Sequence, residues 1–429
     1  MKKVLSLVIV ILLYLFVFIF GDKDVEYKIK IDLPREKIEI KTTKPEKTKT
    51  VFSENQQNKA FLYPSIFEKG NIVLYPNNPN EFPFPSFEPK AKACRVLINK
   101  INNAKKSIDF AIYGIDSQYE LISSLNNAQK RGVIVRGVAD SNELGEVTYK
   151  DTLKLQNIPV TLDNSRYIMH NKFFIIDDEY LLTGTMNMTN TGCGGYNSNL
   201  VVGIQNETIV NAYKNEFEQM FKGIFKKNKK DFSTPLVQLN NDTEIKAAFS
   251  PSGDIYEKIM APAIRNAKKN IKVSIFVLTR TDMKQDLIAA KNRGVDVKVI
   301  MDALSAKNYK KHLNELRENN IKVKVENWGG KNHEKTISID DEILITGSAN
   351  FSYNAVLRND ENILFIKNKE ITKFYNGFFE TLYKSIDDKY LKFSPLAESI
   401  ESKGSCFDKI DNDFDGKTDF NDSGCKIKQ

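Results

Sequence analysis

Apolar and polar positions run through the same succession twice in the middle of the chain. An amphipathic helical stretch ends in Ala-Lys-Lys and leads into an apolar run, Ile108–Tyr113 in one copy and Ile271–Val277 in the other. A second helical stretch closes at Arg131-Gly132 or Arg293-Gly294, where glycine suits a helix stop. β-Branched runs follow at Val133–Val138 and Val295–Ile300, then the paired runs FFIIDDEYLLTG and TISIDDEILITG. Each copy closes with a helical pattern carrying Tyr213 and Phe217, or Tyr375 and Phe379, at matched places. Strands alternating with helices predict an α/β sandwich in each copy. The copies lie 162 or 163 positions apart. That period is far too long for a solenoid, so each copy reads as a domain.

The flanks have a different pattern. Lys2 and Lys3 precede an uncharged apolar run, Val4 to Phe20. We read residues 1–21 as an export signal, retained as a membrane anchor in the reading that ranks first and cleaved to give a secreted chain in the other, with the lysines cytoplasmic and the remainder outside. Residues 22–59 are polar and mixed in charge, as in a tether. The expected organisation continues with a first domain at 60–225, a linker at 226–243, a second domain at 244–386 and a tail at 387–429. Lysines 226, 227, 229 and 230 in the linker read as a solvated face.

Composition then limits the chemistry. The 429 residues are 41% hydrophobic and 28% charged, enough for two cored domains and unlike a disordered or polytopic membrane chain. The net charge of +8 permits a phosphate-bearing partner without requiring one. There are only three histidines, so any imidazole chemistry falls to His170, His312 or His333.

Two of the three sit in register. The first copy reads His170-x-Lys172-x4-Asp177-x6-Gly184-Thr185-x-Asn187; the second reads His333-x-Lys335-x4-Asp340-x6-Gly347-Ser348-x-Asn350. In a strand, residues i and i+2 share a face, so each histidine is expected to project with its lysine. A turn after Asp177 or Asp340 returns a second strand whose Gly-Thr/Ser end brings Asn187 or Asn350 beside the imidazole. Facing copies would offer two imidazoles, two ammonium groups and two amides, a set that suits a tetrahedral phosphate.

The paired motif resembles that of the phospholipase D superfamily, over about Ala91–Leu382. The resemblance implies two tandem α/β sandwiches about a pseudo-twofold axis, with one active site at their interface. It implies phosphodiester cleavage through a phosphohistidine without a catalytic metal. Lys172, Lys335, Asn187 and Asn350 would hold phosphate oxygens, with Thr185 and Ser348 supporting, and Asp177 and Asp340 would brace the site through ion pairs. The late acid of the family matches Glu361, in Asn359-x-Glu361, whereas the first copy has Asn197-x-Asn199. Glu361 would then support His170 from the opposite half while His333 faces neutral Asn199. We therefore expect His170 to be the nucleophile and His333 the acid/base.

The tail CFDKIDNDFDGKTDFNDSGC places Asp411, Asp413, Asp415, Lys417, Asp419 and Asp422 at positions 1, 3, 5, 7, 9 and 12 of an EF-hand-like calcium loop, with Gly416 at the turn. Position 12 is Asp instead of Glu. A Cys406–Cys425 disulfide would staple this small module; whether Cys94 and Cys193 pair is left open by the sequence. Trp328 is placed either at the cleft mouth or on a surface loop, and His312 on a solvated face. No cofactor is expected for catalysis. A phospholipid substrate ranks ahead of DNA or RNA because of the N-terminal segment. A calcium-stabilised surface binding protein without activity is the reading from another class. One chain holds both copies, so a monomer is expected.

Overall fold

The computed structural model describes residues 26–32, 37–43, 62–141, 157–163 and 165–426. The proposed anchor lies outside them, and no described helix is long and apolar enough to cross a membrane. Contacts divide the chain into two units, Met1–Gln57 and Asn58–Gln429. In the first, within the expected tether, β1 (Glu26–Asp32) pairs with β2 (Lys37–Thr43) as an antiparallel hairpin. The period-2 pattern of Tyr27, Ile29 and Ile31 against Ile38 and Ile40 accounts for it.

The second unit holds two eight-stranded sheets of one topology. The first comprises β3 (Phe67–Lys69), β4 (Ile72–Asn77), β5 (Ser107–Ile112), β6 (Ile134–Asp140), β7 (Val160–Asp163), β8 (Lys172–Ile176), β9 (Tyr180–Gly184) and β10 (Asn199–Ile204). The second comprises β11 (Val237–Asn240), β12 (Thr243–Ser250), β13 (Asn270–Ile275), β14 (Asp296–Met301), β15 (Lys322–Val325), β16 (Lys335–Ile339), β17 (Ile343–Gly347) and β18 (Glu361–Lys367). The orders are β3-β4-β10-β9-β8-β5-β6-β7 and β11-β12-β18-β17-β16-β13-β14-β15. In each, three parallel strands join an antiparallel set at β5–β8 or β13–β16. This is the expected duplicated α/β architecture.

The last helix of each half explains how the halves meet. Helices Glu207–Phe221 and Lys369–Ser385 are capped alike, Asn206 accepting from the Ile209 N–H and Asn368 from the Ile371 N–H. Both bury their aromatic stripe in one apolar cluster that mixes residues of both sheets: Phe173, Tyr213 and Phe217 with Phe249, Phe378 and Phe379. Tyr213 packs edge-on against Phe249 at 5.0 Å, and Phe374 stacks on Phe67 at 4.6 Å. Neither sheet therefore buries its inner face without the other half. Each half has in addition its own outer core under the opposite sheet face.

The β8–β9 and β16–β17 hairpins turn at Asp177-Asp178 and Asp340-Asp341, all four residues having φ between 55° and 59°. The two left-handed residues make a tight turn inside a three-residue loop, closed by the Glu179 N–H on the Ile176 carbonyl and the Glu342 N–H on the Ile339 carbonyl, both at 3.0 Å. The first aspartate of each turn also accepts three backbone N–H groups: Asp177 from Lys105, Lys106 and Ser107, and Asp340 from Lys268, Lys269 and Asn270, at 2.6–3.1 Å. These bonds fasten each hairpin to the start of its neighbouring parallel strand. Asp177→Ala or Asp340→Ala should each lower the unfolding free energy by about 2 kcal/mol, because hydrogen bonds to an ionised group are lost. Urea titration followed by circular dichroism would read this as an earlier midpoint.

Candidate active site

His170 and His333 stand just before β8 and β16 and not within them, so the strand expectation is corrected. They occupy short segments that bridge to the other half. Met169 pairs with Asp360, and Ser198 with Asn332. The His170 N–H donates to the Asp360 carbonyl (2.9 Å) and the Asp360 N–H returns to Ile168 (3.1 Å). The His333 N–H donates to the Ser198 carbonyl (3.0 Å) and the Ser198 N–H returns to Lys331 (2.9 Å). Each histidine backbone is thus clamped by the half it does not belong to.

Each lysine reaches back to its histidine's backbone and is not among the residues that line the cleft. Lys172 Nζ donates to the His170 carbonyl at 2.6 Å and Lys335 Nζ to the His333 carbonyl at 2.7 Å. Each ammonium lies 5.0 Å from an aromatic ring, Tyr113 or Phe276. The same rings contact the imidazoles, at 4.8 Å for His170 and 5.3 Å for His333. Tyr113 and Phe276 were overlooked as site residues. Their matched offset, at the C-terminal ends of equivalent apolar runs, was the available signal. The motif glycines have a steric reason: a Cβ on Gly184 would meet the Leu200 carbonyl at 2.3 Å, and one on Gly347 the Asn362 carbonyl at 2.2 Å. The backbone then turns, and Asn187 and Asn350 reach the cleft beside the histidines. Neither amide oxygen, buried as it is, has a hydrogen-bond partner among the described residues.

Behind the imidazoles the halves differ. His170 Nδ1–H donates to Glu361 Oε2 (2.8 Å), which Ser348 Oγ also meets at 2.6 Å. His333 Nδ1–H donates to Asn199 Oδ1 (3.3 Å), which also accepts from Thr185 Oγ1 (2.9 Å). In both, Nδ1 is engaged and Nε2 remains for the cleft. The rings are only 5% and 8% exposed. Burial pulls the His170 pKa down to about 4, against the pull of Glu361. Burial, then Lys335 and Lys172, holds His333 well below the ordinary range. Burial and Lys172 also depress Lys335. Burial and like-charge crowding thus disfavour the charged forms of these groups, a strain that a neighbouring negative charge would relieve.

Asp177 and Asp340 do not brace this pocket. Five residues beyond the lysines they sit at the far ends of their strands, roughly 16 Å away at 3.3 Å per residue. The linker lysines are corrected as well. Lys226 pairs with Asp163 and Asp360, while Lys229, fully buried, lies between Glu216 and Asp360. Asp360 is the residue whose carbonyl holds His170, so this ion cluster anchors the bridge.

The cleft between the halves has a volume of about 700 Å³ and contains His170, His333, Asn187, Asn350, Tyr113 and Phe276. Its outer wall comes from the tail: Lys409, Ile410, Asp411 and Phe414. Cys406 and Cys425 are bonded, as are Cys94 and Cys193. No α-helix flanks the acidic loop among the described residues, so its frame is a disulfide and a short 3-10 turn instead of an EF-hand helix pair. Carboxylate oxygens of Glu398, Asp411 and Asp413 lie within 4.8 Å of one another, as do those of Asp413, Asp415 and Asp422. Asp419 joins neither group; its carboxylate accepts the Lys409 N–H. Lys417 pairs with Asp415. Glu398 had no sequence signal, lying outside the loop. Trp328 is neither at the mouth nor on the surface: it is 4% exposed, in the core shared by the halves. His312 is half-buried, with Nδ1 3.4 Å from Lys284 Nζ.

A family model described as cardiolipin synthase, PLD-like domain, matches residues 97–221 and again 260–383. A phospholipase D of Rickettsia prowazekii (strain Madrid E) is 29% identical over 155 residues, spanning 34% of this chain and 75% of the relative. A mitochondrial cardiolipin hydrolase of Canis lupus familiaris is 24% identical over 163 residues, spanning 37% of this chain and 64% of the relative. The solved phosphatidylserine synthase of Haemophilus influenzae Rd KW20 aligns with a TM-score of 0.56 at 14% identity, over 70% of this chain and 86% of that one, a likeness of fold.

Two measurements test the electrostatics. The His170 pKa of about 4 lies below the unfolded value near 6.5, so its contribution to stability is full above 6.5 and lost as the pH falls toward 4. Thermal melts at pH 7.5 and 4.5 should show a loss of about 2.5 kcal/mol that His170→Gln lacks. Lys229→Met should cost roughly 3–5 kcal/mol by leaving buried carboxylates unpaired, whereas exposed Lys227→Met should stay within about 0.5 kcal/mol.

Proposed function

As the chain belongs to the phospholipase D superfamily, with both halves matching its PLD-like domain, we propose that it hydrolyses phospholipid head-group diesters through a phosphohistidine. The observation that carries this is the convergence of His170 and His333 on one cleft with unlike supports, Glu361 behind one and Asn199 behind the other.

The roles follow from the supports. His170 is neutral at pH 7, and Glu361 holds its Nδ1–H, so Nε2 presents a lone pair to phosphorus. Attack forms the N–P bond while the P–O bond to the leaving alcohol breaks. His333 Nε2–H supplies the proton to that oxygen. Glu361 stabilises the cationic phosphoimidazole. Water then attacks phosphorus, its proton passing to His333, and His170 leaves with its lone pair restored. The free pocket disfavours protonated His333 because of burial and the two lysines. A bound diester anion offsets those lysines and raises His333 into its working range. Lys172, Lys335, Asn187 and Asn350 hold the non-bridging oxygens.

Several features support a lipid. The curated relatives are a phospholipase D and a cardiolipin hydrolase. Apolar groups of Ile115, Ile168, Phe276, Ile410 and Phe414 line the cleft with the polar set, as a diacylglyceryl stem would need. Phe407 and Phe420 pair edge-on at 5.0 Å on the exposed face of the tail. The apolar Val4–Phe20 segment would hold the cleft near a bilayer outside the cytoplasm. With no free cysteine among the described residues, an oxidising compartment fits. One chain supplies both histidines, so the working unit is a monomer.

The purified chain, given vesicles of phosphatidylcholine or phosphatidylglycerol and single-stranded or duplex DNA, should turn over lipid. His170→Ala should lower kcat by roughly 1000-fold or more, and label trapped by quenching and digestion at alkaline pH, where an N–P bond survives, should map to His170. Label on His333 would reverse the roles. Turnover of DNA alone would make the protein a nuclease, and no turnover of any diester would leave a binding protein.

A further inference from the structure

The tail does more than end the chain. It docks across the cleft rim onto both halves. Tyr196 of the first half donates its hydroxyl to Asp408, and Asn412 donates to the Gly329 carbonyl of the second at 3.0 Å. A Cβ on Gly329 would strike the Tyr196 hydroxyl at 1.9 Å, so the three elements meet in close contact. Glu398, fully buried, accepts the N–H groups of Asn412 (2.8 Å) and Asp419 and so ties the acidic loop at two points.

The loop holds two interlocked carboxylate triads that share Asp413. The Asp413 side chain is only 6% exposed; one oxygen pairs with Lys307 at 2.6 Å. The other, Oδ1, is buried with no hydrogen-bond partner among the described residues. Lys307 and Lys417 supply two positive charges against the five carboxylates of Glu398, Asp411, Asp413, Asp415 and Asp422, so the desolvated Oδ1 still faces an excess of negative charge that a further cation would offset. Oxygen donors alone, carboxylates on a short turning loop, select a hard divalent cation of calcium size.

We propose that Glu398, Asp411, Asp413, Asp415 and Asp422 hold a calcium ion that fixes the outer wall of the catalytic cleft. The link to the cleft is direct. Asp411 belongs to one triad and also lines the cleft. Phe414, between Asp413 and Asp415, lines it too, its ring 3.9 Å from Lys331 Nζ. Lys331 stands two residues before His333, and its carbonyl holds Ser198 in the inter-half bridge. The ion therefore sets the position of Phe414 and Lys331, which govern how the diester is received. It does not touch the phosphorus chemistry. Glu398 joins from outside the Asp-x-Asp-x-Asp-Gly run, so the site forms only when the start of the tail is folded against its loop.

The role in substrate reception rests on the proposed hydrolase reading, and the test separates the two. Calcium chloride titrated into the chelator-treated full chain in a calorimeter should show one site per chain. Asp415→Asn, an exposed change, should weaken it about tenfold, and Asp413→Ala should abolish it. Independently of turnover, calcium should slow hydrogen exchange across residues 407–416 and 328–334. With bis(p-nitrophenyl) phosphate, chelation should raise KM about tenfold and leave kcat within twofold. Absence of calcium binding overturns the site. Binding that leaves exchange at 328–334 unchanged overturns the coupling, whether or not any diester is hydrolysed.

Discussion

The His170 N–H is held by the Asp360 carbonyl, the His333 N–H by the Ser198 carbonyl, and each ring nitrogen Nδ1 by a side chain of the same foreign strand. Two backbone crossings thus fix where both imidazoles stand and which nitrogen each presents. They hold only if the two sheets keep their spacing, which the helices Glu207–Phe221 and Lys369–Ser385 set by filling the shared apolar layer. A shift of an ångström in that layer would move a histidine relative to the group behind it. The packing of the whole unit is in this sense part of the site.

The same crossing explains why so many charges are tolerated in the interior. Lys172 and Lys335 are almost wholly buried, each with its ammonium on a carbonyl and near a ring face. Counter-charges lie around them. Burial pushes the Glu334 carboxyl up to about 7, while Ser198 and Tyr375 hydrogen-bond its oxygens. Asp302 is raised to about 6, again mainly by burial, although Lys331 and Lys335 oppose the shift. Glu334 and Asp302 stand beside the lysines without lining the cleft, where the acids are Asp116 and Asp411. An anion entering it meets donors already in place, with little reorganisation.

Much of this was legible because duplication doubles the evidence. His170 alone would be one histidine; His333 at the same register, with Lys, Gly and Asn at equal spacings, makes a site. The Glu361 and Asn199 supports could be read from the departure of one copy from the other. What escaped depended on contacts remote in sequence. Lys226 and Lys229 look like a solvated linker until Asp163, Glu216 and Asp360 close around them. Asp177 and Asp340 are spaced as part of the motif, yet a strand carries them out of reach and gives them a turn to hold. Trp328, near His333 in sequence, belongs to the shared core, because the chain bends inward before the bridge. Glu398 had no local pattern at all, and the loop pattern that includes Asp411 carried no sign that the tail would wall the cleft.

The distance along the chain between His170 and Glu361 is 191 residues. At a synthesis rate of 5–20 residues per second, the first histidine therefore waits roughly 10–40 s for the carboxylate that gives it a fixed tautomer. Through that interval a nascent chain carries a histidine and a lysine but no assembled pair. Competence arrives late and all at once, when the second half docks. A chain cut short before the second half carries His170 and Lys172 without Glu361 or His333.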